Sequence, residues 1–439
     1  MLERLERDVA VLGGGPAGLA AARAAAEAGA RVALVEREDR LGGILKQCVH
    51  DGFGLARFGE RLTGPEYASR EAASALAAGV EARTGSYVVE AARAGPGAGF
   101  VLRCLRRGGA YELAVRSLVL ATGCRERTDR QVLIQGDRPA GILTAGLAQY
   151  MVNVQGLRPG RRAVILGSGD IGLIMARRLV LEGTEVEGVY EIKGEPSGLS
   201  RNVRQCLEDF GIPLHLSMTV TEVHGRDRVE GVTVAAADQR GAPIRGTERR
   251  VDCDTLVLSV GLIPENEVAA SLGLELDALT RGPRVDQSGA CLGEGLFCCG
   301  NALHVNDLAD YVSESGEAAG RAAARQAARR AAGGSPEREL LPLKAGTGAL
   351  YAVPQFLDLS AGGRATIYFR SNATLREGGR LVLKAFPAGA GPASGGPPVE
   401  LLAKSYRALR PPEMERVELE LAKVPAGAAS LCLEIARKE

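Results

Sequence analysis

Gly13, Gly15 and Gly18 stand in the run GGGPAG, whose last three residues are Pro16, Ala17 and Gly18; Gly167, Gly169 and Gly172 repeat the spacing in GSGDIG, with Asp170 and Ile171 between the last two. In this pattern the first glycine permits a tight turn, the second lets backbone approach a pyrophosphate, and the third lets a helix pack closely on a strand. Phosphate oxygens then meet bare N–H groups at a helix N-terminus. An acid completes each set. Glu36, followed by Arg37, lies about 20 residues beyond the first glycines, where a carboxylate can accept both ribose hydroxyls. Glu191 holds the same place after the second. Two dinucleotides bound by one chain imply redox chemistry.

These residues need particular elements to carry them. Asp8–Leu12 reads as a buried strand, Leu19–Ala30 as a helix and Arg31–Val35 as a second strand ending on Glu36. The second copy repeats each part: strand Arg162–Leu166, helix Ile171–Glu182, strand Glu185–Tyr190, then Glu191. No arginine directly follows Glu191, which favours NAD(H) over a ribose carrying a 2′-phosphate; Arg201 and Arg204 are the opposing feature.

Further along, Gly42 and Gly43 mark a close backbone approach, and a turn-rich stretch runs to Gly64. Residues 66–79 read as a helix. Val80–Arg116 alternate as short strands around the turn Gly95–Gly97, and Ser117–Gly123 reads as a buried strand ending Ala121, Thr122, Gly123. In the second half, Thr255–Gly261 is the corresponding late strand. Gly295–Cys299 supplies one more, followed by Gly300, Asn301 and a helix from about Ser313 to Ala332. Gly333–Pro336 marks a linker. Beyond it, Ala365–Phe369, Leu381–Phe386, Val417–Leu421 and Leu431–Ile435 read as strands of an all-β module, with a Gly/Ala/Pro-rich loop over Pro387–Pro398.

Composition narrows the chemistry. A chain of 439 residues that is 46% apolar and 24% charged can fill roughly two to four domains. A net charge of +1 without a Lys/Arg-rich run argues against nucleic acid or an anionic membrane as the main partner. The charged N-terminus enters the first strand at once, and no apolar stretch reaches the ~18 residues of a membrane span, which predicts a cytoplasmic protein without a signal peptide. Nine cysteines include no C-x-x-C and four histidines no zinc spacing, so neither a disulfide framework nor a metal site is expected. The same scarcity of grouped cysteines speaks against an iron–sulfur centre.

The ordered set of fingerprint, acid, Gly42–Gly43, the Ala121–Gly123 strand end, an inserted second fingerprint and Gly300–Asn301 resembles the two-dinucleotide-binding-domain flavoproteins related to thioredoxin reductase and the pyridine nucleotide-disulfide oxidoreductases. The resemblance covers residues 8 to about 331. Closer motifs, Gln47–Leu55, Leu62–Ala68 and Ala121–Arg127, are similar to subunits described as NAD/FAD-dependent dehydrogenases found beside glycerol-3-phosphate-dehydrogenase-like proteins. They are also similar to the larger subunits of opine oxidase, cyanide synthase and proline dehydrogenase.

The resemblance implies an α/β fold of two Rossmann-like domains, the second inserted in the first: residues 1–154 and 281–332 for FAD, 155–280 for NAD(H), and 333–439 as a C-terminal sandwich-like β module. For FAD it implies Gly13, Gly15, Pro16, Ala17 and Gly18 at the pyrophosphate, Glu36 and Arg37 at the ribose, Gly42, Gly43, Thr122 and Gly123 near the flavin side, and Tyr87–Val88 beside the adenine. Gly300–Asn301 would lie along the ribityl chain. Asn301 replaces the family's aspartate, and its amide oxygen is expected to accept the ribityl hydroxyl. For NAD it implies Gly167, Gly169, Asp170, Ile171, Gly172, Glu191 and Gly261. Hydride passes between stacked cofactors by positioning alone, so no catalytic triad is expected. Cys48, His50 and His304 are the candidate side chains near the flavin. A packed thiol and ordinary loop histidines are the plainer readings, and Cys298–Cys299 reads as strand core. The helix near Ser313 is expected to aim its positive end at the flavin.

Three functions follow from this. The leading one is an FAD-dependent oxidoreductase exchanging hydride with NAD(H) and electrons with a companion dehydrogenase or electron-transfer subunit. The others are a subunit of an amine or amino-acid dehydrogenase of the opine or proline type, and a non-catalytic flavoprotein scaffold.

Overall fold

The computed structural model describes residues 3–95, 98–334, 338–387 and 398–437. Pro96, Gly97, Ser335, Pro336 and most of the Pro387–Pro398 loop lie outside them. The chain divides into two compact units: Met1–Lys46, His50–Cys124 and Pro264–Glu439 form one, and Gln47–Val49 with Arg125–Ile263 the other.

In the first unit, strands Glu81–Arg83, Val32–Val35, Glu3–Leu12 and Gly109–Leu120 lie side by side in that order, all parallel, and Leu296–Cys298 pairs alongside the C-terminal end of the last. Both faces of this sheet are covered, which is why its strands read as continuous apolar runs. Val9 and Val11 face a core shared with Leu19, Ala21 and Ala323, whereas Ala10 and Leu12 face another containing Phe100, Leu102 and Tyr111. Gly109–Leu120 is one strand where the sequence pattern suggests two. Its first half pairs antiparallel with Phe100–Arg106, and its end pairs parallel with Leu296–Cys298.

The helix Pro16–Glu27 starts three residues earlier than its apolar pattern suggests, because proline suits a first helical turn. Helix Gly64–Ala77 begins with a reciprocal capping box between Thr63 and Glu66. The long helix Ala309–Ala331 begins four residues before Ser313. It lies against the fingerprint helix through small residues: a Cβ on Gly316 would fall 2.1 Å from the Ala17 carbonyl oxygen, and one on Gly320 2.0 Å from that of Ala21.

The second unit repeats the plan. Leu214–Leu216, Glu185–Glu191, Arg162–Leu166, Thr255–Leu258 and Ile142–Thr144 form a five-stranded parallel sheet in that order. In both sheets the fingerprint strand sits between the second strand and the late strand. The chain order reverses there, where dinucleotide folds bind their ligands. A separate four-stranded sheet holds Gln135–Gly136, Met218–His224, Gly231–Ala236 and Arg249–Val251. The main segment of the unit begins at Arg125 and ends at Ile263. Strand Ile142–Thr144 and helix Ala145–Asn153 complete its sheet and core, whereas Ala269 and Val285 lie in a core of the first unit.

The C-terminal strands form two sheets, one of five strands and one of three, which share a core including Leu343, Leu383 and Leu433 from one and Ile367, Phe369 and Leu419 from the other. This is the sandwich read from the sequence. Strands Leu340–Ala345, Ala349–Val353, Phe356–Asp358 and Val399–Tyr406 were not foreseen; Pro342 inside the first argues against a strand when only sequence is seen. The sandwich is not a separate unit. Gln355 N–H donates to the Val285 carbonyl and Asp358 N–H to Gln287, at 3.1 and 2.8 Å.

Candidate functional site

The first fingerprint folds as its glycines require. Gly13 has φ +104°, and a Cβ there would lie 2.3 Å from the Ala121 carbonyl oxygen; one on Gly18 would lie 1.7 Å from that of Gly13. Gly15 is different. A Cβ on it would meet only the Gly43 Cα, at 3.9 Å, so this glycine faces open space. The helix that starts there has no side-chain cap and no acid in its first turn. Its orphan N–H groups therefore face that space, and they suit a pyrophosphate.

Glu36, 6% exposed, is fixed at the end of its strand: the Gly14 N–H donates to its Oε2 at 2.6 Å and the Glu38 N–H to its Oε1 at 2.8 Å. Gly43 passes so near Gly15 that a Cβ on it would fall 2.8 Å from the Gly15 Cα. Gly42 N–H donates to the Gly14 carbonyl at 2.7 Å. Pro16 and Ala17 open the helix, Thr122 Oγ1 donates to the Glu265 carbonyl at 2.6 Å, and Gly123 has φ +75°. Arg37 is exposed and Val88 half-buried in its strand. These residues fit FAD, which the family implies.

Gly300, at φ +63°, donates its N–H to Ser315 Oγ at 2.9 Å. Asn301 is already engaged within the chain. Its Oδ1 already accepts from the Asn306 N–H and Nδ2 at 3.0 and 3.3 Å, and its Nδ2 donates to Cys124 Sγ at 3.6 Å. What the amide has left to offer a ligand is an N–H rather than an acceptor.

The second fingerprint shares the pattern. Gly167 has φ +96° and lies against the Ser259 carbonyl, Gly172 is pressed on Gly167 and Ser259, and the helix opened by Gly169, Asp170 and Ile171 has no side-chain cap. Glu191, 3% exposed, accepts the Ser168 N–H on Oε2 at 3.0 Å and the Lys193 N–H on Oε1 at 3.1 Å. Gly261 has φ +102°. Asp170 turns to its own chain: its Oδ1 accepts the Leu199 N–H at 2.8 Å and the Asn202 Nδ2 at 2.7 Å. Sequence reasoning missed Ser168 and Asn202 because serine and asparagine carry no signal without the fold around them.

The three candidate flavin-side residues lie in different surroundings. Cys48 belongs to the second unit, where its thiol donates to Gln149 Oε1 at 3.7 Å, and burial pushes it up to about 12. A reactive thiolate is therefore scarce at neutral pH. His50 leans on Phe53, ring centres 5.0 Å apart, with Nδ1 3.1 Å from the Asp51 carbonyl. His304 is a loop histidine, but a buried one. It is 3% exposed, lies 5.6 Å from the Tyr368 ring and 5.9 Å from Tyr351, and burial lowers it to about 3, so it is neutral. Cys298 ends the strand, Cys299 follows it, and both are buried and not joined in a disulfide.

The helix read from about Ser313 begins at Ala309. The first turn of that helix carries Asp310, whose carboxylate takes the Gly54 and Ala56 N–H groups at 3.1 and 2.8 Å. Arg57 extends this anchor by pairing with Glu71 and, at 2.9 Å, with Glu317. Among the described residues, no helix is long and apolar enough to cross a membrane.

Two glycine-turn α/β lobes, each with a buried acid tied to its turn, define the class of two-lobed dinucleotide-fold proteins. Within that class the chain belongs to the pyridine nucleotide-disulphide oxidoreductase family, whose model matches residues 7–332. Among its relatives, the HcnB component of hydrogen cyanide synthase from Pseudomonas aeruginosa is 30% identical over 60% of this chain and 59% of its own length. An opine oxidase subunit of Agrobacterium tumefaciens is 25% identical over 68% of this chain and 61% of its own length. The alpha subunit of sarcosine oxidase from Corynebacterium sp. is 28% identical over 58% of this chain and 26% of its own. The match thus spans less than two thirds of these relatives, and each is named as one part of a larger enzyme. In fold, the chain is similar to thioredoxin reductase of T. acidophilum, with TM-score 0.60 and 22% identity over 74% of this chain and 99% of that one. It is also similar to L-proline dehydrogenase of P. horikoshii, with TM-score 0.54 and 20% identity over 77% and 58%.

Proposed function

We propose that the protein is a cytoplasmic FAD-dependent oxidoreductase that exchanges hydride with NAD(H) and electrons with a companion redox subunit. The observation that carries this reading is the duplicated acid. Glu36 and Glu191 each accept one N–H from the second position of a glycine turn and one from two residues further along their own chain. A carboxylate held in this way faces the ribose position of a dinucleotide fold.

In the first unit Gly13, Gly15 and Gly18 shape the pyrophosphate turn, Glu36 with Arg37 addresses the ribose, and Gly42, Gly43, Thr122, Gly123, Gly300 and Asn301 line the rest of the cofactor. Bound FAD supplies the hydride and electron chemistry. In the second unit Gly167, Gly169 and Gly172 form the turn for NAD(H) and Glu191 meets its ribose. An acid there repels a 2′-phosphate, which supports NAD(H) over NADP(H). Anaerobic mixing of the purified yellow protein with NADH should bleach its visible absorbance; an unchanged spectrum at millimolar NADH would refute the reading.

A second reading draws on the names of the relatives, which include opine oxidase and sarcosine oxidase: this chain as one component of an enzyme oxidising an amine or amino acid. Reduction by such a substrate in the presence of a companion subunit, with no response to NADH, would favour it.

A further inference from the structure

The two acids differ in how much of each is left for a ligand. A carboxylate offers about four acceptor positions, two on each oxygen. Among the described residues, Glu36 spends one on each: Oε2 on the Gly14 N–H and Oε1 on the Glu38 N–H. One position stays open on either oxygen, the arrangement that can take two neighbouring ribose hydroxyls together. Glu191 spends a third. Besides the Ser168 and Lys193 N–H groups, its Oε2 accepts the Ser168 hydroxyl at 2.5 Å. Oε2 is then full, and only Oε1 has room.

The Ser168 hydroxyl is not free to turn aside. Its oxygen accepts the Ser197 N–H at 2.9 Å, so its one hydrogen is directed at Glu191. Ser168 is 0% exposed and Glu191 3%, which keeps water from replacing either partner. The segment that follows is pressed onto the turn: a Cβ on Gly198 would lie 2.8 Å from the Ser168 carbonyl oxygen, and Asp170 holds Leu199 and Asn202. In the first unit the same position is Gly14, which has no hydroxyl to give.

On the reading of the second unit as an NAD(H) site, we propose that Ser168 weakens that site's hold on the adenosine ribose by filling an acceptor position of Glu191 that Gly14 leaves open at Glu36. The first site can then bind both ribose hydroxyls through its acid, and the second only one. A resident cofactor and an exchanging substrate call for that difference, because a looser hold speeds release.

The test is equilibrium calorimetry of the FAD-loaded protein with NAD+ and with its 2′-deoxyadenosine and 3′-deoxyadenosine forms. In the native protein, one deoxy form should bind as well as NAD+ and the other more weakly. In Ser168→Ala, NAD+ should bind about tenfold to a hundredfold tighter, the worth of one added hydrogen bond to a carboxylate, and both deoxy forms should bind more weakly than NAD+ itself. Ser168→Gly, which recreates the residue of the first site, should behave in the same way. Far-UV circular dichroism and retained yellow colour check the folding of each variant. If neither variant folds, the native deoxy pattern decides alone. Equal weakening by both deoxy forms in the native protein, or no gain in NAD+ affinity in a folded variant, overturns the inference while leaving the NAD(H) site standing. No NAD+ binding by any of the proteins overturns the site and the inference together.

Discussion

At the scale of single residues, burial decides between chemistry and packing. Cys48 stands five residues after Gly43, a spacing that makes it a candidate redox thiol, yet burial pushes it up to about 12 and its sulfur rests on Gln149. Because the folded protein keeps the proton that the unfolded thiol loses near pH 8.5, this group lends stability below that pH and withdraws it as the pH climbs towards 12. Cys48 should therefore resist iodoacetamide at pH 7.5 in the native protein and react fully in denaturant, as read by mass spectrometry. Rapid native labelling would restore the redox candidate. Spacing alone cannot show any of this, since a thiol is activated by its surroundings in space. The acids are the opposite case. Glu36 and Glu191 were legible because each follows a strand at a fixed distance from its glycines. Asp170 was legible only as part of a motif, and its hold on Leu199 and Asn202 was not.

At the scale of elements, the joint between helices Pro16–Glu27 and Ala309–Ala331 joins residues almost 300 positions apart. Gly316 and Gly320 lie one turn apart and face the backbone of Ala17 and Ala21, also one turn apart. The alanine-rich pattern foretold both helices but not this contact, for small residues at such spacing also suit an exposed helix. Backbone carbonyls cannot swing away as side chains can. Gly320→Ala should accordingly cost about 3 kcal/mol, shown as a lowered Tm, and should loosen the helix that presents the pyrophosphate turn. A Tm within a degree of native would show that the helices part without cost. Gly333→Ala, where a Cβ meets nothing but φ is +77°, tests the separate effect of backbone conformation.

At the scale of the whole molecule, the C-terminal sandwich is tied into the first unit by polar groups. Arg370 reaches the Asp307 carboxylate, the Pro412 carbonyl and, at 2.9 Å, the Tyr351 hydroxyl. His304 lies beside them, held neutral by burial and by the Arg370 charge. An unfolded histidine takes up its proton near pH 6.5, whereas this one resists until about 3. The stability it contributes is present above pH 6.5 and is lost as the pH falls from there towards 3. His304→Leu should therefore show a smaller drop in Tm between pH 8 and pH 5 than the native protein, measured by calorimetry. An equal drop in both would assign the acid sensitivity elsewhere.

The sequence by itself determined the two glycine turns, the strands and helices that flank them, the acids that close them, and the β character of the last hundred residues. All of these are written in local spacing, in the steric demands of glycine and in the alternation of apolar side chains. Only the tertiary structure decided which strands merge, where the second unit begins, that the sandwich joins the first unit, that His304 is buried and Cys48 quenched, and that Ser168 fills an acceptor position of Glu191. Each of those depends on groups distant in sequence excluding water from one another or competing for the same lone pair, and neither effect exists until the chain has folded.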